Sequence, residues 1–435
     1  MPPTENSAAL FGWHSQDSRA TGPLDTADTV AYTFAEQNYS EYVLSPAGGT
    51  IKANGGATGG GGETLVAHNQ PHYIVRRLMP LECSRLQGFP DGWGEIEHLP
   101  ADMPPDTADF WRGVYRTACT IKGVVPKKSI LTSDKALAKW HNQLHTDGAE
   151  YKMWGNGMAL PNALFFVSRA VAQISADEHR PADTVKLGSL FDGSGTMPLA
   201  AVMCGATPVW ASEVEPYPIA VTKTHLPNVR HLGNVSAIDG GKIEPVDIFT
   251  FGSPCQDLSI AGRRKGLKGQ KSSLFWEAIR IASEMLAATG GRYPRFVIWE
   301  NVYGALSSNG GDDFEIVLNE LLHLTGSNEF IRQHGIWGGA LQGMEKLPTV
   351  LSMRNIGECP SVANVSMLSL ILVENPPTKY YLTVKAMNGI LDRASRRGKP
   401  LPDLLTTAIA GMKEWYRQNP PGGQSRLHAE NPARL

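Results

Sequence analysis

The sequence predicts an α/β protein built on a parallel, doubly wound sheet. Four short apolar runs, 185–191, 208–211, 246–251 and 296–299, have the length of strands, and they alternate with helical patterns beginning at Pro198, Ser273 and Phe314. Three polar clusters, Asp192-Gly-Ser-Gly, Ser253-Pro-Cys-Gln and Glu300-Asn-Val, fall just past the ends of three of those runs. Sheets of this kind bind ligands beyond the carboxyl ends of their strands, so the placement is also a functional signal.

Along the chain, residues 1–70 are polar and rich in glycine, with four in a row at Gly59–Gly62, and read as a flexible linker or irregular hairpins. The character changes at the basic–apolar run Tyr73-Ile-Val-Arg-Arg-Leu78. A helix follows, opened by Pro80 and stopped by Gly88. Residues 98–150 alternate Pro-rich and helical pieces, and Ala163–Ile174 carries apolar residues at helical spacing. The alternating strand and helix pattern then runs to about residue 330. Beyond it an irregular, Gly-rich stretch leads to a basic helical pattern, Ala386–Gly398, containing Arg393, Arg396 and Arg397, and Asn419–Leu435 reads as frayed. These changes divide the chain into segments 1–95, 96–330 and 331–435.

With 40 basic against 42 acidic residues in 435, the chain cannot be a histone-like binder driven by net charge, although a local basic face is allowed. The five cysteines form no CxxC pair, which argues against a disulfide framework and against a structural zinc site. No apolar run reaches about 18 residues, and the first residues lack a basic-then-apolar signal layout. The expectation is a soluble intracellular protein with no metal and no membrane span.

Phe191-Asp-Gly-Ser-Gly-Thr196 is a strand-to-helix turn whose glycines would let backbone approach a bound cofactor. Glu213, about 20 residues on, stands where a carboxylate can accept hydrogen bonds from ribose hydroxyls. Cys255 follows a buried strand, beside Pro254 and ahead of the basic loop carrying Arg263, Arg264 and Lys265. Nearby positive charge lowers a thiol's pKa and makes it a nucleophile. Glu300 follows an apolar strand, where burial would raise its pKa and fit it for acid chemistry near neutrality. Each has a plainer reading: a tight turn, a solvated carboxylate, an inert buried thiol, a helix-capping Glu. The inert reading is the one taken for Cys119, Cys204 and Cys359.

Taken together, these residues resemble the DNA (cytosine-5) methyltransferase family. Phe191-Asp-Gly-Ser-Gly195 resembles its cofactor loop, and Glu213 its ribose-binding acid. Gly252-Ser-Pro-Cys-Gln-Asp-Leu-Ser259 resembles its nucleophile motif, and Glu300-Asn-Val302 its acid motif. Arg76-Arg-Leu-Met-Pro-Leu-Glu82 with Arg85-Leu-Gln-Gly-Phe-Pro-Asp91 resembles the ninth motif, and Gly155-Asn-Gly-Met-Ala-Leu-Pro161 the tenth. In most of the family the ninth and tenth motifs come last; here they come first, so the chain resembles a circularly permuted member.

The resemblance implies a Rossmann-like methyltransferase sheet with a smaller, irregular target-recognition domain. Residues 1–95 would belong to that small domain, 96–330 would form the catalytic domain, and 331–435 would complete the small domain or bind DNA separately. S-adenosylmethionine would be held by Phe191, Gly193, Gly195, Glu213, Asn234, Pro254 and Leu274, with Asn156 closing the pocket. Cys255 would attack a cytosine flipped out of double-stranded DNA while Glu300 holds a proton, and Gln256, Arg263, Arg264 and Lys265 would contact the DNA. The protein would act in the cytoplasm, encoded by a bacterium or a phage, in restriction-modification or alone.

There are departures from the pattern. Thr196 replaces a second glycine, Asn234 an Asp, and Gly157 a frequent serine. The family's Gln-x-Arg-x-Arg motif is missing downstream of Glu300, where residues 326–375 hold only Arg332 and Arg354. Another cation or a partner chain would then supply that arginine, the chain being otherwise a monomer; the alternative is a catalytically degenerate relative that binds DNA or a partner.

Overall fold

The central strand of the larger sheet, Lys186–Leu190, is buried along four of its five residues, as a strand covered on both faces must be. In the computed structural model the described residues are 31–36, 41–44, 64–69, 73–253, 273–301, 305, 311–324 and 371–419. The chain divides into two compact units, one formed by Met1–Leu86 with Ser361–Leu435 and the other by Gln87–Pro360.

In the first unit, strands β1 (Ala31–Glu36), β2 (Tyr42–Leu44), β3 (Thr64–Asn69) and β4 (Tyr73–Arg77) form an antiparallel sheet in the order β2-β1-β3-β4. Part of the segment read as linker or irregular hairpins is therefore regular structure. Its strands are short, and the helices that cover them lie far away in sequence, so local composition could not show it. Phe34, Leu65, Ala67 and Val75 pack against helices Val384–Arg396 and Asp403–Gln418. The second helix presents Leu405, Ala408, Ile409 and Met412, the i, i+3, i+4, i+7 stripe of a one-sided helix. The Val75 N–H donates to Met412 Sδ at 3.0 Å, across 337 residues of sequence.

Helix Pro80–Leu86 follows β4 and holds a wholly buried ion pair. Arg76 donates to Glu82 through both ends of its fork, Nη1 to Oε2 at 2.7 Å and Nη2 to Oε1 at 2.8 Å. Glu82 also accepts the N–H groups of Met79 (2.7 Å) and Val373 (2.8 Å), so its remaining lone pairs are satisfied.

The second unit is built on five parallel strands: β5 (Lys186–Leu190), β6 (Thr207–Ser212), β7 (Arg230–His231), β8 (Ile248–Phe251) and β9 (Phe296–Trp299). Their order is β7-β6-β5-β8-β9, so the winding reverses at β5, which pairs with both β6 and β8. This is the expected doubly wound α/β sheet. Four of the strands stand where the apolar runs placed them; β7, two residues long, carries no periodic signal. The helix expected from Pro198 begins at Thr196, and the others run over Ser273–Ala288 and Asp312–His323. Gly188 lets β5 and β6 approach, since a Cβ there would lie 2.2 Å from Trp210 Cζ2.

Ahead of this sheet come helices Pro105–Ile121, Lys128–Thr132, Asp134–His141, Asp147–Asn156 and Leu160–Glu178. No helix among the described residues is long and apolar enough to cross a membrane.

Candidate functional site

The turn after β5 is a tightly constrained piece of backbone. Phe191 (φ 57°), Gly193 (φ 55°) and Gly195 (φ 77°) all lie in the left-handed region. A Cβ on Gly195 would press on Thr222 Cγ2 at 2.8 Å, whereas a Cβ on Gly193 would meet nothing within 4 Å. Gly195 is thus a packing requirement, and Gly193 faces open space where a ligand could come close. Thr196, buried, shares a hydrogen bond with Ser194 Oγ at 2.9 Å and opens the following helix.

Two earlier segments brace this turn. Trp93 Nε1 donates to the Ser194 carbonyl at 2.8 Å. Gly157, just past helix Asp147–Asn156, lies so close that a Cβ would be 3.3 Å from Ser194 Oγ. Asn156 itself is exposed at the end of that helix. Behind it, Glu150 Oε1 accepts from Trp154 Nε1 (3.2 Å) and Glu150 Oε2 pairs with His145 Nε2 (2.9 Å). The His145 ring stacks on Tyr217, whose hydroxyl donates to the Gly94 carbonyl at 2.7 Å. Sequence reading missed this network because its members are dispersed along the chain.

Glu213 follows β6 and reaches back to the turn. Its Oε2 accepts the Gly193 N–H at 2.8 Å, and its Oε1 accepts those of Val214 (2.7 Å) and Glu215 (2.9 Å). Burial raises its pKa against the pull of these three donors. Asp192 was overlooked in the sequence. Its carboxyl is buried, and burial, opposed by a hydrogen bond with the Ser189 side chain and aided by the charge of Glu213, pushes its pKa up to about 7. Asn234, after β7, is turned to its own backbone, accepting the Ser236 N–H at 3.1 Å. The adjacent Gly233 (φ 74°) has open space where a side chain would be. Leu274 and Phe191 pack against the same apolar cluster beside the sheet.

On the other side of β5, the ends of β8 and β9 hold Glu300. Its N–H donates to the Phe251 carbonyl at 3.0 Å, and burial raises its pKa. A Cβ on Gly252 would lie 2.7 Å from Glu300 Oε2, so the carboxyl rests directly on that glycine. Trp299 Nε1 donates to Ser253 Oγ (3.3 Å), and Asn301 Nδ2 to the Ser253 carbonyl (3.4 Å). Pro254, Cys255, Gln256, Arg263, Arg264 and Lys265 lie outside the described residues. Of the thiols read as inert, Cys119 is buried, Cys204 is pushed up to about 11 by burial, and Cys359 lies outside the described residues.

A left-handed glycine turn, a carboxylate bound to it, and a half-buried acid two strands away share one edge of a parallel sheet. The sequence over the same stretch, residues 185–325, matches the family model of the C-5 cytosine-specific DNA methylase. Over this segment the chain is similar to that family. Members of it take the methyl group from S-adenosylmethionine.

Relatives match about a third of the chain. The "DNA N-6-adenine-methyltransferase" of Escherichia phage P1 is 34% identical over 127 residues, 28% of this chain and 17% of that protein. The Type II methyltransferase M.HhaI of Haemophilus parahaemolyticus is 31% identical over 135 residues, covering 31% of this chain and 39% of the relative. Type II methyltransferase M2.ScrFI of Lactococcus lactis subsp. cremoris is 29% identical over 160 residues, 35% of this chain and 42% of the relative. The chain thus spans less than half the length of each of these relatives.

Proposed function

We propose that this protein transfers a methyl group from S-adenosylmethionine to C5 of cytosine in double-stranded DNA, through a transient bond to Cys255. The observation that carries the proposal is the position of Glu300. A half-buried carboxyl with a raised pKa rests on Gly252, three residues before Cys255 in the chain.

The residues present fit the methyl donor. Gly193 offers backbone beside open space, and Glu213, with three N–H groups on its carboxylate, keeps room for one more donor such as a ribose hydroxyl. Phe191, Leu274 and Asn234 would line the adenosine side, with Gly195 fixing the turn and Pro254 and Asn156 at the rim. S-adenosylmethionine supplies an electrophilic methyl group.

The chain's own residues prepare the base. Cytosine C5 is too weak a nucleophile to take a methyl group unaided. The Cys255 thiolate adds to C6 while Glu300 gives a proton to N3, which places electron density on C5. After C5 has gained the methyl group it gives its proton to solvent, the C6–S bond breaks to release the thiolate, and N3 returns its proton to Glu300. The base must leave the duplex for this, at a cost of a few kcal/mol. Gln256, Arg263, Arg264 and Lys265 would grip the opened strand, and the first compact unit would carry target recognition. The bracing of Ser194 by Trp93 and Gly157 supports reading the ninth and tenth motifs as permuted to the front of the chain. The chain would work as a monomer in the cytoplasm of a bacterial host, or with a partner chain supplying an arginine.

The missing Gln-x-Arg-x-Arg motif favours a second reading, a degenerate relative that binds DNA or a partner without methylating. Incubation with a 5-fluorocytosine duplex and S-adenosylmethionine separates the two. A denaturation-resistant adduct, absent in Cys255→Ser, is the expected result. DNA binding with no adduct on any sequence supports the degenerate reading, and N6-methyladenine in the product without an adduct overturns the cytosine assignment.

A further inference from the structure

Between Arg112 and Lys139 the sequence holds seven basic residues and one acid, Asp134, a local excess of six positive charges in a chain of net charge −2. The lone acid is neutralised by an ion pair with Arg112. Lys122, Lys127 and Lys128 are exposed at the tip joining helix Pro105–Ile121 to helix Lys128–Thr132, and no ion pair joins them to an acid among the described residues. Ile121 (54% exposed), Val124 (52%) and Val125 (91%) project from the same tip.

This tip is held in shape. Gly123 (φ 64°) donates to the Thr120 carbonyl at 3.1 Å, and Val124 donates to the Cys119 carbonyl at 3.0 Å, a glycine-terminated helix end. Pro126 stiffens the next step, and the Lys127 N–H donates to Tyr115 Oη at 3.1 Å. The Tyr115 ring in turn packs edge-on against Trp140. The backbone that presents three lysines and three aliphatic side chains is therefore already ordered before binding.

We propose that this tip is a second DNA-contacting surface, which grips the phosphate backbone of duplex DNA with Lys122, Lys127 and Lys128 while Val124 and Val125 lie against the groove wall. The proposal rests on the methyltransferase reading, and the tip belongs to the same compact unit as the methylase segment. Charge complementarity favours a polyanion. The tip has no aromatic residue, whereas surfaces that sit on lipid usually carry Trp or Phe on the apolar side, which favours DNA over a membrane.

The test titrates a labelled duplex with the intact protein over a range of salt. Combined Lys122→Gln, Lys127→Gln and Lys128→Gln should weaken binding at least about tenfold and lower the salt slope by about 2–3, near 0.9 per lost phosphate contact. S-adenosylmethionine binding by calorimetry should not change. Val124→Ser with Val125→Ser should weaken binding without altering the slope. An unchanged affinity and slope in the lysine variant overturns the proposal, as does lysine-dependent binding to phosphatidylserine vesicles with DNA binding intact. The 5-fluorocytosine adduct reports separately. An adduct with no slope change leaves the methyltransferase reading standing without this surface, and a slope change without an adduct leaves the surface without that reading.

Discussion

Gly252 and Glu300 touch: a Cβ on the glycine would lie 2.7 Å from one carboxylate oxygen of the glutamate. The carboxyl's position therefore depends on a missing side chain in the neighbouring strand end. Gly252→Ala should turn the carboxyl away while leaving the sheet intact. Misplacement of a reacting group by about 1 Å can cost about a hundredfold in rate. Single-turnover methylation should fall by that order, with S-adenosylmethionine affinity within about twofold of the parent.

Asp192 is buried with only the Ser189 hydrogen bond set against that burial, and its pKa, pushed up to about 7, stands well above the ordinary aspartate value near 3.9. Between those values the folded state keeps a proton that the unfolded chain has lost. Stability therefore falls as pH rises from about 4 to about 7, and the full cost persists above. Asp192→Asn should leave stability near pH 4 little changed and raise it at pH 8 by on the order of 4 kcal/mol. Urea unfolding at the two pH values measures this.

His145 has the opposite sign. Its hydrogen bond to Glu150, with the charges of Glu150, Glu95 and Asp147, raises its pKa despite partial burial. Its stabilising effect is complete below the unfolded value near 6.5 and is lost as pH rises through the folded value. The thermal midpoint should decline with pH above 6.5, and His145→Gln should flatten that decline in a melting series.

Arg76 and Glu82 are fully buried and doubly bonded to each other. Glu82→Gln leaves an unbalanced buried guanidinium and should cost about 3–5 kcal/mol. The double variant Arg76→Met with Glu82→Leu should recover only part of the loss in denaturant titration, since no buried charge then remains but the Met79 and Val373 N–H groups lose their acceptor.

What the sequence revealed follows from burial. Strands covered on both faces need contiguous apolar residues, as β5 and β8 show, and the half-buried β6 and β9 carry the same apolar runs, so all four stood out, with Glu213 and Glu300 conspicuous as charges placed just after them. Strand β7 is too short for any pattern. The antiparallel sheet was hidden because Phe34, Leu65 and Val75 are covered by Met387, Ile409 and Met412, which no local window includes. Asp192 looked like a turn residue, since nothing in its neighbours announces that the loop folds its carboxyl inward. Trp93 meets Ser194 across 101 residues, a contact that periodicity cannot convey.

The Val75–Met412 contact carries a cost during synthesis. Strands 31–77 leave the ribosome long before helices 384–418 are translated, so their oily side waits uncovered while the methylase segment assembles. A premature stop ahead of Val384 should yield a nascent product whose early sheet is prey to proteases and chaperones, even though every residue of the methylase segment has been made.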